Sequence, residues 1–312
     1  FDASKSTENG RFDLNDGASS DVADFKNVIS IARGTIIENY KGGAKKDLVT
    51  GNEVANEIRG GGGADKLMGE GGADNLYGDG GKDKLLGGAG NDYFRVGGGE
   101  DSYNGGSGTD YLSYYNSASG VTLDLAANTA SKSWASNDTI TSIESASGSN
   151  TGNDTLSGTD GYNKFRGWGG DDLIYGRGGA DRLYGSDGKD KVYGGAGNDK
   201  MYGGGGADKL YGGSGNDFLD GGAKSGTDSL FGGAGADRFQ FDRGEGKDIV
   251  KDFENNVDTI EFDNFNTINS AADALAKATN VNGDVVFDFG SDGMLIVENT
   301  TKAQLVNDLE IV

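Results

Sequence analysis

Along most of this chain one apolar side chain recurs every nine residues, with glycines and polar residues between. From Gly176 to Asp220 the units read GRGGADRLY, GSDGKDKVY, GGAGNDKMY, GGGGADKLY and GGSGNDFLD. The apolar member is in turn Leu183, Val192, Met201, Leu210 and Leu219. It always stands two places after an aspartate: Asp181, Asp190, Asp199, Asp208 and Asp217. A period of nine is neither the 3.6 of a helix nor the 2 of a long strand. It predicts a glycine turn followed by a three-residue strand whose middle residue points inward. Two units, eighteen residues, then make one circuit with a strand and a turn on each side, and stacked circuits make residues eighteen apart neighbours.

The same register predicts the organisation of the whole chain. Residues 1–41 are not periodic; Val28 to Ala32 and Thr35 to Ile37 read as short strands, and the abrupt start at Phe1 suggests that more protein precedes it. A first array covers 42–113, with Asp65, Asp74, Asp83, Asp92, Asp101 and Asp110 in the acidic place and Leu67, Leu76, Leu85, Phe94, Tyr103 and Leu112 inward. Asn56 replaces the aspartate in an early copy. Residues 114–148 lose the glycines and form a β-rich connector, in which Val121 to Leu125 alternates as a strand against which Trp134 and Ile140 are candidates to pack. A second array covers 149–240, bringing Asp154, Asp172, then the five aspartates above, Asp228 after two extra residues, and Asp237, with Asn163 in the aspartate place of one unit. Residues 241–312 read as a small mixed α/β cap: strands in DIVKDF and DTIEFDNF, a helix from Ser270 to Ala278 capped by Ser270 and Asp273, a hairpin around Gly290–Gly293, and a last helix over Thr301 to Leu309. The fold class is all-β: two tandem parallel β-rolls, the connector and the cap.

Composition narrows the chemistry. The 312 residues contain neither Cys nor His, which removes disulfides, zinc–thiolate sites, the usual catalytic triads and the HExxH zinc site. A net charge of −22 argues against nucleic acid and favours cationic partners. No run of 18 apolar residues is present, and FDASKSTENG lacks the basic and apolar regions of a Sec signal peptide. One apolar residue per nine offers little core against the entropy of ordering. Stacking also sets Asp65 beside Asp83, Asp74 beside Asp92, Asp181 beside Asp199 and Asp190 beside Asp208, where bare carboxylates repel. Hard oxygen ligands without His or Cys suit Ca²⁺, and a divalent ion between stacked aspartates turns that repulsion into attraction. On this reading all fifteen register aspartates are metal ligands, on the order of ten ions bind, their charge nearly offsets the chain's own, and folding is coupled to calcium. There are no catalytic residues.

The pattern G-G-x-G-x-D-x-U-x resembles the RTX, haemolysin-type calcium-binding repeat. That resemblance implies a parallel β-roll with calcium between successive turns. Gly34 to Asn39, followed by Gly42, Gly43, Asp47, Gly51 and Asn52, is similar to the start of the β-roll in serralysin-type secreted metalloproteases, although Lys45 and Lys46 replace the family's Gly-Asn beside Asp47. Asp308 to Val312 resembles the acidic-then-apolar end of type I secretion substrates, with Glu310 interrupting it; Ile311 and Val312 are alternatively a closing strand. The resemblance implies a secreted, extracellular bacterial protein exported by type I machinery. Three roles follow: a non-catalytic calcium-folding module, the C-terminal part of a secreted hydrolase such as a zinc protease, or a surface-layer, adhesin or polysaccharide-binding segment. For the last, Tyr175, Tyr193 and Tyr211 should stack on one side and Tyr184 and Tyr202 on the other. Lys189, Lys191, Lys200 and Lys209 read as charge balance on a solvated face.

Overall fold

The computed structural model describes residues 2, 10–14, 19–22, 25–30, 38–132, 136–222, 226–266 and 268–312. It divides into two units, Phe1–Ser147 and Gly148–Val312. Each is a parallel β-solenoid in which successive strands fall alternately into two sheets and pair with the strand one circuit away. The expected residues at 31–32, the strand at 35–37 and Trp134 lie outside the described residues.

Inward side chains stack as the period of nine requires. In the first unit Leu67 pairs with Leu85 and Leu85 with Tyr103 in one sheet, while Ile58, Leu76, Phe94 and Leu112 align in the other. In the second, Ile174, Val192 and Leu210 form one line and Phe165, Leu183, Met201 and Leu219 the other. All of these side chains are fully buried. The core is therefore two narrow apolar files meeting between sheets, each file only one side chain wide.

Many strands are longer than the expected three residues. Arg182–Gly188 and Lys200–Gly206 have seven residues, whereas Tyr93–Arg95 and Phe218–Asp220 keep three. The long ones run on through the glycines, because stacked turns also bond to each other: Gly204 N–H donates to the Gly221 carbonyl at 3.0 Å, and Ser186 pairs with Gly204. A turn that lies in register on the next turn becomes part of the sheet. This stacking leaves no room for side chains at some glycines. At Gly81, φ is 147°, and a Cβ would overlap the Gly63 carbonyl of the turn below. Its neighbour Gly80 meets nothing nearer than the Gly61 oxygen at 3.8 Å.

Parallel stacking reaches past the glycine-rich segments. Between the first unit's last repeats, Val121–Asp124, Thr129–Lys132 and Ser136–Thr141 form an antiparallel meander whose third strand lies parallel on Ser102–Ser107. Ser145–Ser147 likewise lies on Tyr111–Ser113. Ile140 is buried there as expected. In the second unit Lys247–Val250 continues one sheet, and Thr259–Asp263 the other. A meander of Ala278–Val281, Asp284–Asp288 and Met294–Val297 returns onto Lys247–Val250, turning through Gly290–Asp292. Phe241, Phe262, Phe265, Phe287 and Phe289 gather under it with ring centroids 4.6 to 6.3 Å apart. The helix Ala271–Lys277 has the expected cap, Ser270 accepting from the Asp273 N–H.

The helix expected over Thr301 to Leu309 is not formed. Only a 3₁₀ turn, Leu305–Asn307, appears. Gln304 Oε1 instead accepts from the Thr301 N–H and hydroxyl, and Leu309–Ile311 is drawn into a parallel strand on Thr259–Asp263. So short a helix is not stable without a packed face, and the sheet edge competes for its end.

The two adjacent glycines give a test of turn stacking. Gly81→Ala should be destabilising by several kcal/mol, the cost of overpacking against backbone plus a left-handed φ (~1–3 kcal/mol each). Gly80→Ala should stay within about 1 kcal/mol of wild type. Calcium-saturated denaturant midpoints measure both; equal shifts would contradict the stacked-turn geometry.

Candidate metal centre

The acidic place of each repeat forms a ladder. The backbone N–H of one ladder residue donates to Oδ1 of the aspartate one circuit later. In the first unit this joins Asp47 to Asp65 and Asn56 to Asp74 at 2.7 Å, and Asp65 to Asp83, Asp74 to Asp92 and Asp92 to Asp110 at 2.8 Å. Asp83 donates to Asp101 at 2.9 Å. In the second it runs Asp154–Asp172–Asp190–Asp208–Asp228 along one side and Asn163–Asp181–Asp199–Asp217–Asp237 along the other. The structure thus brings the predicted aspartates together eighteen residues apart, or twenty across the two-residue extension. Contact is through a backbone amide, not carboxylate to carboxylate.

With Oδ1 engaged, the second oxygen decides what the ladder can hold. Oδ2 is buried without a hydrogen-bond partner in Asp65, Asp74, Asp83, Asp92, Asp110, Asp172, Asp181, Asp190, Asp199, Asp208, Asp217 and Asp237. Leaving a buried anionic oxygen unpaired costs a great deal unless a cation meets it. The glycine opening each unit explains how Oδ2 is accommodated. A Cβ on Gly176 would collide with Asp181 Oδ2 and lie 2.5 Å from the Gly194 carbonyl oxygen. Gly185 meets Asp190 Oδ2 and the Gly203 carbonyl in the same way, and Gly167, Gly194 and Gly212 repeat the arrangement. The first glycine is therefore needed for space: it leaves a pocket bordered by a carboxylate oxygen and a carbonyl from the next circuit, with no donor between them. That donor set fits a hard divalent cation and nothing softer. Among the described residues no three acidic side chains converge on one point, so backbone carbonyls would have to complete the shell of any bound ion.

Three predicted residues differ. Asp101 Oδ2 accepts from the buried Tyr103 hydroxyl at 3.0 Å. Asp154 Oδ2 accepts from the Ser149 N–H at 2.8 Å and from its hydroxyl. Asp228 Oδ2 and Asp248 Oδ2 both lie beside Gly221, 2.9 and 3.1 Å from the point that a Cβ there would occupy. In the first two, protein donors occupy the oxygen that elsewhere faces the pocket.

Other ladder members escape a pattern that demands glycines. Asp138 accepts from Asp101 N–H and Glu144 from Asp110 N–H, both at 2.9 Å; Asp258 accepts from Asp237 N–H at 2.9 Å. Their signal was the acid-x-apolar triplet alone: DTI at 138–140, ESA at 144–146, DTI at 258–260. Asp47, despite Lys45 and Lys46, is buried in the ladder. A second, exposed ladder runs beside the first in the place before the aspartate. Asn153 Oδ1 accepts from Asp171 N–H, Asp171 from Lys189, Asn198 from Asn216 and Asn216 from Ala236, at 2.8 to 2.9 Å.

The tyrosine files stack as expected. Centroids are 5.0 Å apart for Tyr175–Tyr193, 4.7 Å for Tyr193–Tyr211, 4.6 Å for Tyr211–Phe231 and 4.9 Å for Tyr184–Tyr202. Near-parallel rings at this spacing cover one another's faces, leaving mainly edges to solvent. Lys189, Lys191, Lys200 and Lys209 are exposed.

Burial raises the ladder carboxyls. Asp65, Asp74, Asp83, Asp181 and Asp217 are pushed up to about 7, Asp172 and Asp208 to about 8, and Asp110 and Asp190 to about 6, loss of solvent being the largest cause and the backbone N–H on Oδ1 opposing it.

This is a solenoid whose stacked turns carry a file of oxygen-only pockets. The chain belongs to the RTX calcium-binding nonapeptide repeat family, whose four-copy model matches residues 41–76, 50–85, 77–112, 149–183, 175–210, 193–223 and 223–249, more than half the chain. Over 59 residues it is 47% identical to a serralysin of Photorhabdus laumondii and 44% identical to the metallopeptidase AprA of Pseudomonas marginalis. Each match covers 19% of this chain and only 12% of the relative. A crystal structure of the extracellular lipase LipA from Serratia marcescens aligns with 86% of this chain and 40% of its own at 17% identity, with a TM-score of 0.33, too loose a likeness to carry an argument.

Two outcomes follow from the ladder. The folded carboxyl pKa values lie above the ordinary value near 4, so without calcium the fold binds more protons than the unfolded chain between about pH 4 and pH 8, and its stability falls as pH rises through that window. In chelator, β-structure by circular dichroism should be greater at pH 5 than at pH 8; the reverse order would refute the buried-carboxylate ladder. Asp190→Asn should perturb the amides of Asp172 and Asp208 before those of Asp181 and Asp199 in NMR spectra of the calcium-loaded chain. Larger shifts at 181 and 199 would mean that coupling runs along the sequence and not through the stack.

Proposed function

We propose that this chain is a secreted, non-catalytic module that folds on taking up calcium outside the cell. The observation that supports it is the run of buried Oδ2 atoms without partners, each facing a glycine with no side chain. The ligands are Asp65, Asp74, Asp83, Asp92 and Asp110 in the first unit, and Asp172, Asp181, Asp190, Asp199, Asp208, Asp217 and Asp237 in the second. Carbonyls of the facing turns, such as Gly194 beside Asp181, complete each shell. The chain's own residues do the positioning: the backbone amide fixes Oδ1, which aims Oδ2, and the glycine leaves the space. Bound calcium supplies the charge that lets these carboxylates stay ionised while buried. A capacity on the order of ten ions matches the number of such positions.

Loading with calcium would order the arrays at the ~10⁻⁴–10⁻³ M affinity typical of extracellular modules. In a calcium-poor cytoplasm the chain would remain loose enough for export. The acidic-then-apolar end at 308–312 supports type I export, and the same end closes a sheet as Leu309–Ile311. Absence of His and Cys supports a non-catalytic role for these residues. The match to serralysins favours one parent in particular, a secreted zinc metalloprotease of which this would be the C-terminal part. An HExxHxxGxxH upstream of Phe1 would establish that parent; another catalytic domain there would exclude it.

Calcium titration followed by far-UV circular dichroism tests the module. The β signal should be small in chelator at pH 8 and rise cooperatively between about 10⁻⁴ and 10⁻³ M calcium. Full β structure in chelator at that pH would overturn the proposal.

A further inference from the structure

A glycine five places before a register aspartate and an unpartnered Oδ2 go together. Every register aspartate whose Oδ2 is buried without a partner has that glycine, as Gly87 precedes Asp92 and Gly176 precedes Asp181. Two register aspartates lack both: Val96 stands five places before Asp101, and Ser149 five before Asp154. The third without that glycine, Asp228, follows the two-residue extension and faces Gly221 instead. Elsewhere a Cβ in the first place would run into Oδ2 itself, as it would at Gly87. At Asp101 the protein supplies its own solution. Asp101 Oδ2 accepts from the Tyr103 hydroxyl at 3.0 Å, and the Asp101 N–H donates to Asp138 Oδ1 at 2.9 Å. Asp138 Oδ2 accepts from the Tyr114 hydroxyl, again at 3.0 Å. Both tyrosines are buried, and burial pushes both hydroxyls far above their ordinary value, so each keeps the proton it donates. At Asp154 the donors are the Ser149 N–H, 2.8 Å from Oδ2, and the Ser149 hydroxyl, 3.1 Å from Oδ1 and 3.2 Å from Oδ2.

We propose, resting on the calcium reading above, that Asp101 and Asp154 hold no ion although both lie within matched repeats, and that Val96 and Tyr103 in one place and Ser149 in the other exclude it. A cation is drawn to a carboxylate oxygen that has lost water and gained nothing in exchange. A hydroxyl or amide donor removes that demand, because hydrogen bonds to the charged form keep it ionised. The donor also puts a proton where the ion would sit, and Ca²⁺ takes only oxygen lone pairs. Both places lie at the end of a file. On one side of the first unit the ladder runs Asp47–Asp65–Asp83–Asp101–Asp138, so the tyrosine-bonded pair closes it where the antiparallel meander begins. Asp154 is the first aspartate of the second unit's ladder. Protein donors thus take over where each run of pockets stops, and the attachment of Ser136–Thr141 to Ser102–Ser107 needs no calcium.

Native mass spectrometry counts the calcium bound to the full chain at saturating calcium, with circular dichroism as the check on folding. Asp101→Asn and Asp154→Asn should keep the wild-type count, whereas Asp92→Asn should lower it. Val96→Gly combined with Tyr103→Phe opens the space and removes the donor, and should add one ion. A lower count in folded Asp101→Asn or Asp154→Asn overturns the proposal for that residue, and an unchanged count in the folded double variant overturns the role of Val96 and Tyr103. Should the variants not fold, wild-type crystals grown in calcium decide. Anomalous peaks at Oδ2 of Asp92 and Asp172 with none at Oδ2 of Asp101 or Asp154 support the proposal, and a peak at either of the last two refutes it. No ion at any register aspartate would instead be failure of the calcium reading itself, so the two failures are distinguishable.

Discussion

One hydrogen bond organises this protein: a backbone N–H given to Oδ1 of the aspartate one circuit later. It fixes the circuit length, because residues eighteen apart must be neighbours for it to form. It also commits the second carboxylate oxygen to a buried position with nothing to bond. On the proposed reading, the same contact that holds the stack together also makes it dependent on a bound cation. Burial of charge without a partner is among the most costly things a fold can do, and here it is repeated along both faces of both units.

The remaining features follow from that commitment. Glycine opens each unit because the unpaired oxygen lies where a Cβ would be; other glycines, such as Gly81, permit a left-handed turn against the carbonyl of the turn below. The apolar file is one residue wide because only one position per strand lies between the sheets. Single buried residues such as Leu183 and Met201 give continuity but little mass, so hydrophobic burial alone is a thin offset to the entropy of ordering a glycine-rich chain. Where the file widens, at the phenylalanine cluster around Phe241 and Phe262, acids of the repeat type give way to an antiparallel meander and a short helix. The two ways of stabilising the chain alternate along it.

Much of this was legible in the sequence, and the reasons are physical. A strict period carries its own register, so the inward file, the stacked tyrosines and the ladder aspartates could be assigned from spacing. What spacing missed was pairing that does not require glycine. Asp138, Glu144 and Asp258 join the ladder through acid-x-apolar triplets in segments that lack the turn residues. Strand lengths were underestimated because a glycine turn reads as an interruption until another turn lies in register upon it. The final helix failed because its end had a better partner in an open sheet edge. Asp101 and Asp154 share the acidic register of their neighbours, yet Tyr103 and Ser149 occupy the oxygen that matters. Only three-dimensional placement distinguishes a carboxylate satisfied by protein from one that awaits a cation.

The central claim is that the amide-to-Oδ1 ladder persists only while a cation meets Oδ2. Residue-resolved hydrogen exchange of the ladder amides at pH 8 tests it most directly, read at Asp172, Asp181, Asp190 and Asp199. With calcium these amides should be strongly protected; in chelator their protection should collapse together, ahead of amides in the meander at 278–297. Equal protection of the ladder amides in calcium and in chelator would show that the protein sustains the ladder by itself, and would contradict the account.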